Sequence, residues 1–411
     1  EDDGAALRTI RHEPDAPLTM RYRVVSAYDH EPTANDGQPF APIVRPRWFY
    51  AFGEALFAEP SASSALPASF TWSGAPAEYA FVSDLQQLDA NATVQDVLDS
   101  IVVGGPDTKV YTEKVGDAEI RIGIHGKFAF EHAAFATMSR SIIAVERDFW
   151  GEHGEPFTIA MAPLLGVKGS RSLGGTGRTD GFTILMSDDA SIEPVRHLIA
   201  HEYFHTWNAD RLGGQQDGTA EMLGKWFSEG FTEFYTWRLL LRAGIYTLDD
   251  YVADWNHALR EYAMSPAKNQ PNSKIAEAYW TDPAVGKLPY RRGPLLAAIW
   301  EQRLRRATDG AKGLDDVLHA MREKIRSAGD TKLAPDAATL FLSTYVEQGG
   351  PDLSADVAKY IDSGETIVLP AHVFGHCLRV ANERNGVQQL RVVKAKTDAD
   401  KLACARALVG G

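Results

Sequence analysis

Hydrophobic and polar positions fall in short alternating runs over the first part of the chain and recur at helical spacing over most of the second. Before residue 116, Leu18–Val25 and Arg47–Gly53 carry β-branched and aromatic residues. Turn-forming stretches such as Pro60–Pro67 separate these runs, which predicts strands joined by turns. Glu119–Ile124 alternates like a strand, Phe130–Trp150 has the period of a helix, and Pro156–Ala162 and Phe182–Met186 again read as strands. Between the last two, Leu165–Gly181 holds six glycines and reads as a loop ahead of an edge strand to which an extended peptide can pair. It lacks the Gly-Lys-Ser/Thr ending of a phosphate cradle.

From Ser191 onward the pattern is helical. Ser191 is the expected N-cap of a first helix, with Glu193 in its opening turn and Val195, Leu198 and Ile199 forming an apolar stripe. Further helices are expected at Lys225–Arg242, Leu248–Ala263, Gly293–Ala307, Leu314–Ala328 and Ala334–Gln348, followed by β-like runs at Thr366–Leu369 and Gln389–Val393. The prediction is an α+β fold. A β-rich N-terminal domain covers 1–115, a mixed α/β domain continuing into a helical region covers 116–350, and a short C-terminal β-like segment covers 351–411.

Composition changes this picture little. A chain of 411 residues with 44% hydrophobic and 24% charged positions has room for two or three domains with sizeable cores. A net charge of −13 without a basic block argues against a nucleic-acid partner, and no apolar run reaches the length of a membrane span. The two cysteines, Cys377 and Cys404, form no Cys-x-x-Cys and are the candidate pair for a disulfide. The chain begins at Glu1, not methionine, and an exported, periplasmic or secreted, protein is the expectation.

The candidate chemistry lies in His201-Glu202-Tyr203-Phe204-His205. On a helix, His201 and His205 share a face and can bind one ion at about 2 Å from each nitrogen. Glu202 sits beside the ion without pointing at it, as suits a base acting on metal-activated water. A catalytic zinc takes a third protein ligand and keeps a fourth position open. Trp226-Phe227-Ser228-Glu229-Gly230-Phe231-Thr232-Glu233 offers Glu229 as that ligand, in aromatic surroundings where a carboxylate needs a compensating charge. Glu233, one turn on, is placed to accept a hydrogen bond from a ligating histidine.

His201–Asn208 together with Trp226–Glu233 resembles the glycyl aminopeptidase family of gluzincin zinc metallopeptidases, whose members often carry a PDZ domain. The resemblance implies a thermolysin-like catalytic domain, one Zn2+ held by His201, His205 and Glu229, and Glu202 as the base. It also implies a peptide or protein substrate, and it puts Glu233 behind the ligands. Leu288-Pro289-Tyr290-Arg291-Arg292-Gly293 resembles a segment of related aminopeptidases whose tyrosine donates to the oxyanion, which implies that role for Tyr290. Arg291 and Arg292 read as surface arginines. Family aminopeptidases have Gly-Gly-Leu-Glu-His before the edge strand, where this chain has Gly174-Gly175-Thr176-Gly177-Arg178 as the substrate-binding stretch, with no acid until Asp180. The expected function is therefore a zinc-dependent, aminopeptidase-like peptidase. An endopeptidase of the same fold and a catalytically silent metal-binding scaffold remain the alternatives.

Overall fold

The computed structural model describes residues 9–13, 16–36, 41–60, 64–170, 172–178, 180–208, 211–214, 216, 218–328, 334–383, 386–395 and 397–409. Two sheets pack face to face at its N-terminal end. The first contains β1 (Ile43–Val44), β2 (Phe49–Phe52), β3 (Ala80–Ser83) and β4 (Ile101–Gly105), antiparallel in the order β1-β2-β4-β3. The second contains β5 (Thr108–Val115), β6 (Ala118–His125), β7 (Phe157–Leu164), β8 (Leu173–Arg178) and β9 (Gly181–Ser187), in the order β5-β6-β7-β9-β8. Its β6–β7 and β7–β9 pairs are parallel and its outer pairs antiparallel.

The period of two along the central strands divides their side chains between two cores. Ile159 and Met161 of β7 point into the main helical core. Ala160, Ala162 and Leu164 point the other way, against Tyr50, Phe52, Val82, Ile101 and Val103 of the first sheet. Small residues on that face let the two sheets approach closely.

The longer helices make up most of the remaining core, the first two of them packing against the second sheet. They are α1 (His132–Trp150), α2 (Glu193–Phe204), α3 (Gly218–Arg242), α4 (Leu248–Met264), α5 (Asn272–Ala278), α6 (Pro289–Ala307), α7 (Leu314–Ala328), α8 (Ala337–Glu347) and α9 (Asp398–Val409). Helix α1 ends at Gly151, whose positive φ of 66° forms the left-handed cap. Helix α4 starts on a capping box between Thr247 and Asp250. No helix among the described residues is long and apolar enough to cross a membrane.

Several expectations are corrected. Leu18–Val25 forms no strand, and Leu18, Met20, Tyr22 and Val25 are exposed, so its alternation has no buried face to serve. The strand Thr108–Val115, at the end of the expected N-terminal domain, pairs with β6 of the second sheet. Leu165–Gly181 is not all loop. It contains β8, which takes the sheet edge and leaves Phe182–Met186 in the interior strand β9. Ser191 does not cap α2; the position before the helix is Ile192, and Ser191 hydrogen-bonds Glu193 instead. Thr366–Leu369 is not a strand either, because its amides at Ile367 and Leu369 donate to the side chains of Tyr262 and Gln388. The C-terminal hairpin β10 (Leu378–Asn382) and β11 (Gln388–Val392) does form, and α9 follows it where only β-like runs were expected. Leu378, Leu390 and Cys404 from this segment join the main core.

Candidate active site

Helix α2 carries His201, His205 caps its C-terminus one turn on, and α3 packs against it with Glu229 facing both. The two Nε2 atoms lie 3.1 Å apart, and each is 3.3 Å from Glu229 Oε2. Three lone-pair donors thus converge on one small volume, and the three residues fit a metal ion. The electrostatics favour positive charge between these groups. Burial opposes charge on His205, but Glu229 outweighs it and raises the imidazole to about 9. Burial likewise opposes the Glu229 carboxylate, yet the two histidines hold it well below the usual range.

The ring of His205 is oriented from behind, its Nδ1 lying 2.7 Å from the Asn208 carbonyl. The buried Asn208 amide in turn donates to the Ser228 carbonyl at 3.0 Å and to Thr232 Oγ1 at 3.1 Å, tying the end of α2 to the ligand-bearing turn of α3. By contrast, His201 Nδ1 is buried without a hydrogen-bond partner.

Glu233 lies near His201 but takes no hydrogen bond from either His201 or His205, contrary to expectation, and its closest partner is one that the sequence reading missed. His197 Nε2 is 3.0 Å from Glu233 Oε2, and His197, His201 and Glu233 form a second convergent group. Arg291 lies 3.6 Å from Glu233 and 2.6 Å from Glu261. Burial would raise the Glu233 carboxyl, but His197, His201 and Arg291 pull it down to about 2. The arginines are therefore not a surface pair: Arg291 is half-buried in this network. Arg292 is 1% exposed, donating to the Gln270 carbonyl at 2.6 Å. His197 does stand one turn before His201, the same spacing as His201 to His205, and that spacing was the available signal.

Tyr290, in the first turn of α6, stacks on His201 at 5.7 Å between ring centres. Burial and the nearby Glu229 keep its phenol protonated, so it remains a donor. Its oxygen lies 3.1 Å from that of Tyr279, a second tyrosine not singled out from sequence. These groups open onto a cleft of about 660 Å³ lined also by Glu202, Lys225 and the β8 residues Gly175, Thr176 and Gly177. A Cβ on Gly177 would sit 3.5 Å from Glu202 Oε2, so the sheet edge runs directly past the expected base. Gly174 and Arg178 lie on the same strand. Cys377 and Cys404, far from this cleft in sequence, are brought together as free thiols that hydrogen-bond each other.

With this geometry in place, likeness to other proteins becomes informative. Residues 195–286 match the model of the M61 glycyl aminopeptidase family. The match bears out the resemblance read from the two motifs and supports a hydrolytic peptidase. It takes in His201, Glu202, His205, Glu229 and Glu233 and stops short of Tyr290. No curated protein matches the chain in sequence. Among solved structures, an aminopeptidase N family protein from Idiomarina loihiensis shares the fold with a TM-score of 0.68 at 16% identity, over 84% of this chain and 65% of that one. The chain thus spans less than two thirds of that protein's length. An M1 zinc metallopeptidase from Deinococcus radiodurans aligns with a TM-score of 0.50 at 17% identity, over 82% of this chain and 75% of the other. These similarities bear out the mixed α/β architecture with a β-rich N-terminal part and a helical C-terminal part.

Proposed function

We propose that the chain is a zinc-dependent peptidase of aminopeptidase-like action, with one ion held by His201, His205 and Glu229. The observation that carries this reading is the convergence of two imidazole nitrogens and one carboxylate oxygen within hydrogen-bonding distances, at the floor of a cleft bordered by an open sheet edge. When bound, zinc polarises the scissile carbonyl and acidifies water at its open position. Glu202 takes a proton from the attacking water and passes it to the departing amine. Tyr290 donates a hydrogen bond to the carbonyl oxygen as negative charge grows there, an interaction worth a few kcal/mol, on the order of 3, in a water-poor site. Glu233, held by His197 and Arg291, supplies a fixed negative charge behind His201.

The peptide substrate lies extended along β8, using its free edge for main-chain hydrogen bonds. Small residues at 174, 175 and 177 let the substrate backbone come close to Glu202. The family match favours removal of N-terminal residues. A second reading, endopeptidase action, is favoured by the absence of an acid from Gly174-Gly175-Thr176-Gly177-Arg178, where an ammonium anchor is expected. The test is to follow cleavage of free and N-blocked peptides by the zinc-loaded protein and by Glu202→Gln. Loss of hydrolysis with zinc retained supports the mechanism. Turnover persisting in Glu202→Gln would refute it, and cleavage of blocked peptides alone would decide for an endopeptidase.

A further inference from the structure

Lys225 stands one helical turn before Glu229 on α3, with its Nζ 3.1 Å from Glu229 Oε1. The other oxygen, Oε2, is the one that faces the two imidazoles. The carboxylate is thus divided between an ammonium on one side and the histidine pair on the other. We propose that Lys225 is a positioning residue of the metal centre, occupying Oε1 so that Glu229 gives the ion one oxygen and a coordination position stays open. This rests on the zinc-peptidase reading above.

Three observations bear on it. Lys225 is itself fixed, 3.0 Å from Glu221 and 5.8 Å from the centre of the Tyr279 ring, whose hydroxyl meets that of Tyr290. The Lys225 and Glu229 side chains are mostly buried, at 16% and 8% exposure, so the pair is not a solvated ladder on a helix face. Finally, lysine preceding glutamate by four is the poorer order for stabilising a helix; the better order is the one Lys225 makes with Glu221, so helix stability does not account for its contact with Glu229. Left without Lys225, Oε1 is a free donor beside the ion, and a carboxylate with both oxygens free can bind through both.

The test uses the full chain loaded with cobalt(II), whose visible absorption reports coordination number. Wild type is expected to show the strong band of a four-coordinate site. In Lys225→Met the band should fall at least roughly twofold as coordination expands from four to five. Lys225→Arg, which keeps a cationic donor, should retain the wild-type band, and Lys225→Ala should behave like Lys225→Met without a long apolar chain in the pocket. Near-ultraviolet circular dichroism confirms that each variant is folded. A wild-type band in both Lys225→Met and Lys225→Ala overturns the proposal. Wild type taking up no cobalt overturns the metal centre itself. A four-coordinate cobalt protein whose zinc form cleaves no peptide overturns the peptidase reading, while the band shift still decides the role of Lys225.

Discussion

Helices α3 and α6 cross with their backbones in contact at two glycines, and this crossing sets Tyr290 against the ligand cluster. A Cβ on Gly230 would lie 2.4 Å from Gly293 Cα and 3.0 Å from the Pro289 carbonyl oxygen. Carbon atoms pack at about 3.5 Å or more, so Gly230→Ala falls short by about 1 Å. The obstructing atoms are main chain and cannot rotate aside. The helices must therefore separate by on the order of 1 Å, at a cost of roughly 1–3 kcal/mol in stability. Glu229 adjoins Gly230 on one helix and Tyr290 precedes Gly293 by one turn on the other, so the separation acts on the distance between the tyrosine and the reacting carbonyl. A displacement of that size costs about 100-fold in rate. His201, His205 and Glu229 lie on α2, at its C-cap and on α3 and do not cross this contact, so on the proposed function zinc content should stay at the wild-type level. Peptide-cleavage kcat, zinc by atomic absorption and a denaturant titration together read the three quantities. Wild-type kcat with an unchanged unfolding midpoint in Gly230→Ala would refute the close crossing as the device that places Tyr290.

Three further outcomes are expected. Asp84 is 8% exposed, and burial raises its carboxyl to about 7, only partly offset by the Ile101 and Leu85 amides. Because the native pKa lies above the unfolded value, the stability that Asp84 contributes is fully present below about pH 4 and is lost as pH rises toward 7, by on the order of 4 kcal/mol at most. Asp84→Asn should therefore raise the melting temperature at pH 8 far more than at pH 4, and an unchanged pH slope would sink the assignment. Asn208→Ala should cost about 1–3 kcal/mol by removing the buried amide's bonds to the Ser228 carbonyl and the Thr232 hydroxyl. It should also weaken zinc binding at least roughly tenfold, read by chelator competition, because the Asn208 main-chain carbonyl that orients His205 is no longer tied to α3 by the side chain. Mild oxidation should join Cys377 to Cys404 and raise stability by about 3.5 kcal/mol on the chain-entropy model, with no gain in Cys404→Ser.

The convergence of His201, His205 and Glu229 was legible because the two histidines stand at helical spacing within one segment, and because Glu229 sits in an aromatic-rich helix where a carboxylate needs a compensating charge. What escaped the sequence depends on contacts between segments. His197 gains meaning only when α3 brings Glu233 to 3.0 Å, and Arg292 is buried only because the Lys268–Gln270 turn offers carbonyls to its guanidinium. Strand β8 was hidden for a different reason. Its Gly174-Gly175-Thr176-Gly177 run has almost no side chains to alternate, and its strand character comes from backbone pairing with β9 alone. Phe182 explains one of those glycines, since a Cβ on Gly175 would meet its ring at 2.4 Å. In α9 the apolar residues are spread around the helix, so no face announces it. The same argument applies to the motifs themselves. The glycines following Glu229 and Tyr290 read as parts of two separate signatures, and only the structure shows them as one contact, in which neither residue leaves room for a side chain on the other.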